Sequence, residues 1–350
     1  MENVRIVLYG VGAMGTRIAK LLLKKKGVEI VGAIDVAKGK IGKDLGEILG
    51  IDKRLGIKVS NNPDDVLSRA NADVVVHSTT SFLKQTYPQI AEAINHGVNV
   101  ISTCEELSYP YATELELAEK LDKLAREHSV TVLGTGINPG FLMDTRVINL
   151  TSVCQEIEHI KATRIMNAAT RRAPFQKKIG AGLPVNEFKR RIEDETITGH
   201  VGLTQSIAMI ANALKWKLDK IEVDPVEPVI AETQVESKTV KVEPGQVAGL
   251  KQCARGIKEE KEVITLDFQA YLGAKEEYDA ITIKGVQNVH EKITPCIHGD
   301  SGTVAIIVNS IPKVMNAAPG LVTMKDLPVP SAALEDMRNY FGKRKLCLFD

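Results

Sequence analysis

The chain is predicted to be a two-part α/β protein: a doubly wound parallel sheet followed by a second α+β domain with a mostly antiparallel sheet. Three observations predict this. Up to about residue 140, short β-branched runs alternate with stretches of helical period, the pattern of a parallel sheet with crossover helices. Beyond about residue 145, polar and apolar residues alternate over long segments, as in strands with one buried face. The 350 residues, 44% hydrophobic and 25% charged, match an ordinary globular chain, which at roughly 150 residues per domain implies two.

In order, strands are expected at Val4–Tyr9, Val28–Ile34, 73–77, 98–102 and 130–133, with helices near 14–25, 82–95 and 113–128. The last helix carries Leu117, Leu121 and Leu124 on one face behind a Thr113-x-x-Glu116 capping box. The second half reads as strands 157–165, 228–235, 247–257, 263–272 and 280–286, interrupted by a helix over 203–214. An apolar helix over 301–315 ends near Pro319-Gly320 and is expected to pack back on the first domain. The predicted organisation is a first domain over 1–140, a second over 141–300 and a returning segment over 301–350. Gly134–Gly140 is the expected hinge.

With 45 Lys+Arg against 44 Asp+Glu, the net charge of +1 provides no field for nucleic acid or an anionic membrane. No apolar run reaches the ~18–20 residues of a membrane span, and the N-terminus opens on a strand instead of a signal peptide, so a cytoplasmic location is expected. Cys104, Cys154, Cys253, Cys296 and Cys347 form no C-x-x-C pair, so reduced thiols and no metal site are expected.

Gly10-Val11-Gly12-Ala13-Met14-Gly15 is a G-x-G-x-x-G turn placed between a strand and a helix. Its glycines suit a tight turn, close approach of a pyrophosphate and helix–strand packing, and the helix N-terminus offers N–H groups to the phosphates. Asp35 ends the next strand, where a Rossmann-type fingerprint places an acid for the adenosine ribose hydroxyls. Its charge favours NAD, while Lys38 and Lys40 just beyond offer cations to the 2′-phosphate of NADP. Ser78, Thr79 and Thr80 stand at another strand exit, either lining the cofactor or capping the following helix.

The strand at 98–102 empties into Thr103-Cys104-Glu105-Glu106. Adjacent carboxylates repel, which raises a pKa towards the range useful for proton transfer; the alternative is that one merely charges a helix N-terminus. A nucleophilic Cys104 is disfavoured, because two neighbouring carboxylates oppose a thiolate. Asn138, in Asn138-Pro139-Gly140-Phe141, suits the nicotinamide ribose or carboxamide, or simply a turn. Arg164, Asn167, Arg171, Arg172 and His200 are the second-domain candidates for substrate. Guanidinium forks match carboxylates, and one or two of these arginines are expected to be functional.

The sequence resembles the 2,4-diaminopentanoate dehydrogenases and the native amine dehydrogenases related to them, across essentially the whole chain. The resemblance rests on the Gly10–Gly15 turn, Gly42-Lys43-Asp44-Leu45-Gly46-Glu47, Ser102-Thr103-Cys104-Glu105-Glu106-Leu107-Ser108-Tyr109-Pro110, Gly136-Ile137-Asn138-Pro139-Gly140-Phe141 and Gly199-His200-Val201-Gly202. The wider superfamily includes dihydrodipicolinate reductase, but the His-His-x-x-x-Lys stretch of that enzyme is missing. The resemblance implies NAD- or NADP-dependent oxidation of the C4 amine of a diamino acid and hydrolysis to 2-amino-4-oxopentanoate and ammonia. It assigns the base to a glutamate of the Cys-Glu-Glu segment without separating Glu105, nearer the strand end, from Glu106. It places Arg164, Asn167 and His200 towards the distal part of the substrate and suggests a homodimer. A general amine dehydrogenase, a carbonyl or cyclic-imine reductase and a non-catalytic NAD-sensing protein remain as alternatives.

Overall fold

A computed structural model describes residues 2–341, so Cys347 lies outside the described residues. The chain divides into two compact units, Met1–Ile137 with Gly299–Asp350, and Asn138–His298.

In the first unit, β1 (Val4–Tyr9), β2 (Val28–Ile34), β3 (Val59–Ser60), β4 (Val74–His77), β5 (Asn99–Ser102) and β6 (Thr131–Gly134) join the strand Gly320–Val322 in one seven-stranded sheet. All neighbours are parallel, in the order Gly320–Val322, β6, β5, β4, β1, β2, β3. From β1 the chain builds outward to β3, then returns to build β4, β5 and β6 on the other side. The strand order therefore reverses between β1 and β4, where open α/β sheets bind ligands.

The helices are α1 (Ala13–Leu22), α2 (Leu45–Leu49), α3 (Pro63–Ala70), α4 (Leu83–Asn95) and α5 (Leu115–Glu127). Successive strand residues point to opposite faces, and both faces are apolar because both are covered. Ile6, Leu8, Val74 and Val76 pack with Ile18 and Leu22 of α1 and with Ile307, Val308 and Ile311 of the helix Gly299–Met315. Val7, Val75, Val100 and Val132 pack instead with Ile90 and Ile94 of α4 and Leu121 of α5. Each fully buried aliphatic side chain contributes about 1.5–3 kcal/mol.

Two local expectations are corrected. The Thr113-x-x-Glu116 capping box is not formed: α5 starts at Leu115 with Glu114 as its N-cap and no side-chain cap. A 3₁₀ turn over Pro110–Ala112 precedes it, and Glu114 N–H donates to the Pro110 carbonyl at 2.8 Å, delaying the helix. The short β3, α2 and α3 were not expected; two residues of β3 are too few to show a period.

The second unit contains α6 (Thr145–Thr151), β7 (Glu156–Asn167), α7 (Ala173–Lys178), α8 (Val185–Glu193), α9 (Leu203–Ala213), β8 (Lys220–Val223), β9 (Glu227–Ile230), β10 (Val235–Glu236), β11 (Lys241–Val242), β12 (Val247–Lys258), β13 (Lys261–Tyr271), β14 (Tyr278–Val286) and β15 (Val289–Ile293). Its main sheet runs β15, β14, β7, β13, β12, β8, with β9 also on β12. Every pair is antiparallel except β7 with β13. The expected strand over 228–235 is split, because Glu232, Thr233 and Gln234 are exposed and offer no apolar face to continue it. Val235 instead begins the β10–β11 ribbon. Helix α9 packs its Ile207 and Ile210 side against β12 and β8. Among the described residues no helix is long and apolar enough to cross a membrane.

Candidate active site

The phosphate turn is built as its glycines require. Gly10 has φ +96°, and a Cβ there would lie 2.4 Å from the Ser78 carbonyl oxygen. A Cβ on Gly15 would lie 2.0 Å from the Gly10 carbonyl oxygen. Gly12 differs: nothing lies within 4 Å of its Cβ position, so a side chain would project into open space. Gly12 is also the N-cap of α1, which has no side-chain cap, so the first-turn N–H groups of Ala13 and Met14 are left for a ligand to satisfy. This cradle fits a dinucleotide pyrophosphate.

Asp35 is tied to the turn. Its carboxylate accepts from Val11 N–H at 2.9 Å, Ala37 N–H at 2.8 Å and Lys40 Nζ at 2.8 Å. Burial pushes its pKa up, but the bonds from Lys40, Ala37 and Val11 outweigh this and hold it below the usual carboxylate value. Of the two candidate lysines, the structure pairs Lys40 with Asp35.

The three hydroxyls at the β4 exit do not cap α4. Ser78 Oγ donates to the Gly10 carbonyl at 3.0 Å and braces the phosphate turn. Thr79 donates to Gln89 at 2.8 Å and Thr80 to Gln85 at 3.0 Å. Glu106 serves the helix instead, its Oε2 accepting from Leu83 N–H, the first residue of α4, at 2.6 Å. Burial raises the Glu106 pKa against that bond, with Glu114 and Glu105 adding to the rise. The Glu105 carboxylate has no hydrogen-bond or ion-pair partner among the described residues.

Cys104 is 1% exposed, and its Sγ donates to the Ser81 carbonyl at 3.1 Å. Burial pushes its thiol up to about 11, further from a nucleophilic thiolate. The loop carrying these residues is braced from below. Cys104 N–H donates to Ser102 Oγ at 3.0 Å, and Ser102 lies 2.8 Å from His77 Nδ1, while His77 Nε2 reaches Gln89 Oε1 at 2.7 Å. Burial lowers the His77 pKa to about 4, so the ring is neutral at neutral pH.

In the second unit, Asn138 Nδ2 lies 2.9 Å from His200 Nε2, and the His200 ring stacks on Phe268 with centroids 4.1 Å apart. Phe268 is the register partner of Arg164 across β13 and β7. Burial, then the charges of Lys178 and Arg164, lower the His200 pKa to about 3. The ring is thus neutral, accepting from Asn138 at Nε2 and keeping its proton on Nδ1. Arg164 is not an open clamp: it is 1% exposed, and it donates to Asp279 at 2.5 Å and to the Ile297 carbonyl. Two of its five N–H donors are committed there, which fixes the guanidinium in place. Burial raises the Asp279 pKa against the pull of Arg164.

Asn167 braces a turn, its carboxamide oxygen accepting from Ala169 N–H at 3.1 Å and Gly273 N–H at 3.4 Å. Arg171 lies over the Phe175 ring at 4.1 Å and Arg172 is the N-cap residue of α7, so both belong to the turn and helix after β7. The structure hydrogen-bonds Asn138 to His200, sets Arg164 opposite Phe268, on which His200 stacks, and places Asn167, Arg171 and Arg172 at the end of β7 and just after it.

Comparison with known proteins shows the family. Residues 141–343 match the family model of the 2,4-diaminopentanoate dehydrogenase C-terminal domain, and residues 4–133 that of the dihydrodipicolinate reductase N-terminus. Over 98% of both chains, the sequence is 37% identical to 2,4-diaminopentanoate dehydrogenase of Acetoanaerobium sticklandii. The chain belongs to the 2,4-diaminopentanoate dehydrogenase family. An amine dehydrogenase structure from Mycobacterium smegmatis superposes with a TM-score of 0.84 at 28% identity, covering 95% of this chain and 98% of that one. The 4-hydroxy-tetrahydrodipicolinate reductase of Carboxydothermus hydrogenoformans is 33% identical over only 39% of this chain and 47% of its own. The chain is an oxidoreductase, and its Rossmann-type fold supports a nicotinamide cofactor.

For this family member, sequence reasoning missed Asp279, Phe268, Lys178 and the His77 brace. Asp279 had a detectable signal. It stands in phase with the buried Ile281 and Ile283 on β14, as Arg164 does with Ile160 and Ala162 on β7. A charge interrupting each of two apolar faces signals a buried pair, and in the register Asp279 lies directly opposite Arg164.

Proposed function

We propose that this protein oxidises the C4 amine of 2,4-diaminopentanoate, giving 2-amino-4-oxopentanoate and ammonia, with Glu105 as the base. The observation that carries the reading is the division of labour between the paired carboxylates: Glu106 is spent on the N-terminus of α4, while Glu105 keeps an unengaged carboxylate at the β5 exit. Glu105 takes a proton from the substrate ammonium, so that the neutral amine can release hydride from C4. The nicotinamide supplies the hydride acceptor. After passing that proton to solvent, Glu105 accepts one from the water that adds to the resulting iminium carbon and returns it to the nitrogen, and the C–N bond breaks to release ammonia while the hydroxyl loses its proton to leave the ketone.

Arg164 and Lys178 supply positive charge for the substrate carboxylate, and neutral His200 with Asn138 supplies polar contacts without adding a competing charge. Asn138 Oδ1 is buried without a partner among the described residues, an acceptor suited to an N–H group of the substrate or the nicotinamide carboxamide. Both NAD and NADP are expected to serve, because Lys40 offsets the charge of Asp35 that would repel a 2′-phosphate. The broad second-unit sheet supports a homodimer, to be checked by light scattering.

The deciding experiment compares 2,4-diaminopentanoate with 2-aminopentane, each with NAD and NADP. A far higher kcat/KM for the diamino acid is expected, since a substrate without the charged groups loses their contacts. Equal efficiencies would indicate a general amine dehydrogenase. Turnover of neither would move the reading to carbonyl or cyclic-imine reduction, and cofactor binding without turnover of any substrate to a sensing protein.

A further inference from the structure

Asp144 is completely buried, yet its two oxygens accept three hydrogen bonds. Oδ1 accepts from Thr145 N–H at 2.5 Å, which is local to the start of α6. One oxygen would suffice for that cap, and an asparagine or serine would provide it without burying a charge. The other oxygen reaches further. Oδ2 accepts from Gly140 N–H at 2.7 Å and from Ser206 Oγ of α9 at 2.8 Å, the latter 62 residues away in sequence. Thr145 Oγ1 closes the same knot by donating to the Gly140 carbonyl at 2.9 Å.

The two segments tied by Oδ2 are those that carry the polar pair of the second unit. Asn138 lies two residues before Gly140, and His200 lies just before Gly202, the N-cap of α9. They also touch directly: Gly202 has φ +113°, and a Cβ there would lie 2.5 Å from the Pro139 ring. On the far side, His200 N–H donates to Gln252 Oε1 at 3.0 Å, so β12 supports the histidine backbone while Asp144 supports the chain on either side of the contact.

We propose that Asp144 is a positioning residue for substrate recognition, setting the separation of Asn138 and His200 by holding Gly140 and Ser206 on one carboxylate oxygen. The proposal rests on the reading of Asn138 and His200 as part of the substrate pocket. A displacement of the pair weakens recognition of the diamino acid while leaving the base and the phosphate turn untouched, because those belong to the other unit.

The test uses the full chain with Ser206→Ala, Asp144→Asn and His200→Asn, measuring kcat and KM for 2,4-diaminopentanoate, the dissociation constant of NADH by fluorescence titration, and the melting temperature. Ser206→Ala deletes one tie and is expected to raise KM about fivefold, the worth of one hydrogen bond, with kcat and NADH affinity within about twofold. Asp144→Asn is expected to raise KM further, because an amide has one acceptor oxygen and sets its NH2 group against either Thr145 N–H or the Gly140 and Ser206 donors, loosening the knot in both orientations. If Asp144→Asn does not fold, Ser206→Ala carries the test alone. A lower melting temperature with unchanged KM in Ser206→Ala, while His200→Asn raises KM, would make Asp144 a structural residue only and overturn the proposal. An unchanged KM in His200→Asn would overturn the pocket assignment itself, and the proposal with it.

Discussion

The two units present chemistry by different means. In the parallel-sheet unit the phosphate turn is made of backbone, with glycines that admit close approach and a helix N-terminus supplying N–H groups, and its residues are contiguous in sequence. In the second unit the polar groups are side chains from β7, β13, β14 and the segments beside α6 and α9, brought together by strand register and buried ties. The first kind of site tolerates change at its open position and fails where backbones touch. The second is pre-paired, so removing one member strands another in the interior.

The largest expected effect tests whether the first unit also owns the proton chemistry. Glu105→Gln keeps shape but removes the base, and kcat should fall by ~10²–10⁴-fold with NADH affinity nearly intact. Glu106→Gln can still accept from Leu83 N–H and should lose far less, whereas Glu106→Ala should cost about 0.5–2 kcal/mol of stability through the lost cap. Near-normal turnover in Glu105→Gln would remove the base from this strand exit.

The next sharpens the contrast from the other side. Arg164→Ala leaves Asp279 buried without its cation and should destabilise the protein by about 3–5 kcal/mol in denaturant titration, in addition to any loss in kcat/KM. Replacing both together by Met and Leu should recover much of that stability but not the preference for the diamino acid over 2-aminopentane. If the double variant keeps that preference, Arg164 serves the fold alone.

A smaller effect is expected at the phosphate turn. Gly12→Val has space for its side chain, so the melting temperature should hold while NADH affinity drops at least tenfold, ~1.4 kcal/mol. Gly15→Val, whose Cβ would strike the Gly10 carbonyl, should instead fail to fold normally. Equal behaviour of the two variants would break the distinction between open and closed glycines.

The smallest concerns the ribose end. Lys40→Ala removes an ion pair that is partly exposed to solvent, and NADPH affinity should weaken about threefold to tenfold at low salt while NADH affinity stays within about twofold. Loss of both affinities together would mean that Lys40 supports the loop and not the phosphate.

Much of the first unit was legible because its signals are local. A strand, a glycine turn and an acid at the next strand end are read within thirty-five residues, and strands covered on both faces announce themselves as apolar runs. The assignment within Glu105-Glu106 was not legible, since it depends on the first N–H of α4, which lies in another segment. The α5 capping box failed for a related reason: a preceding turn took control of the entry into the helix. In the second unit, Arg164, Asn167, Arg171, Arg172 and His200 were all picked out by residue type, which states nothing about their partners. Only the arrangement of the strands shows that Arg164 pairs with Asp279 and that Asn138 meets His200.

The sequence by itself determined the alternation of strands and helices, the switch to long alternating strands after about residue 145, the phosphate turn with Asp35, and the pair of carboxylates at a strand exit. These follow from periodicity and from short-range stereochemistry, which act over a few residues. The tertiary structure decided which carboxylate is free, that Lys40 is the partner of Asp35, that Arg164 is locked to Asp279, and that Asp144 joins Gly140 to Ser206. Each depends on a hydrogen bond or ion pair whose strength is set by burial and by geometry at 2.5–3.0 Å. Residue type states only what a side chain is able to do; packing determines which partner it meets.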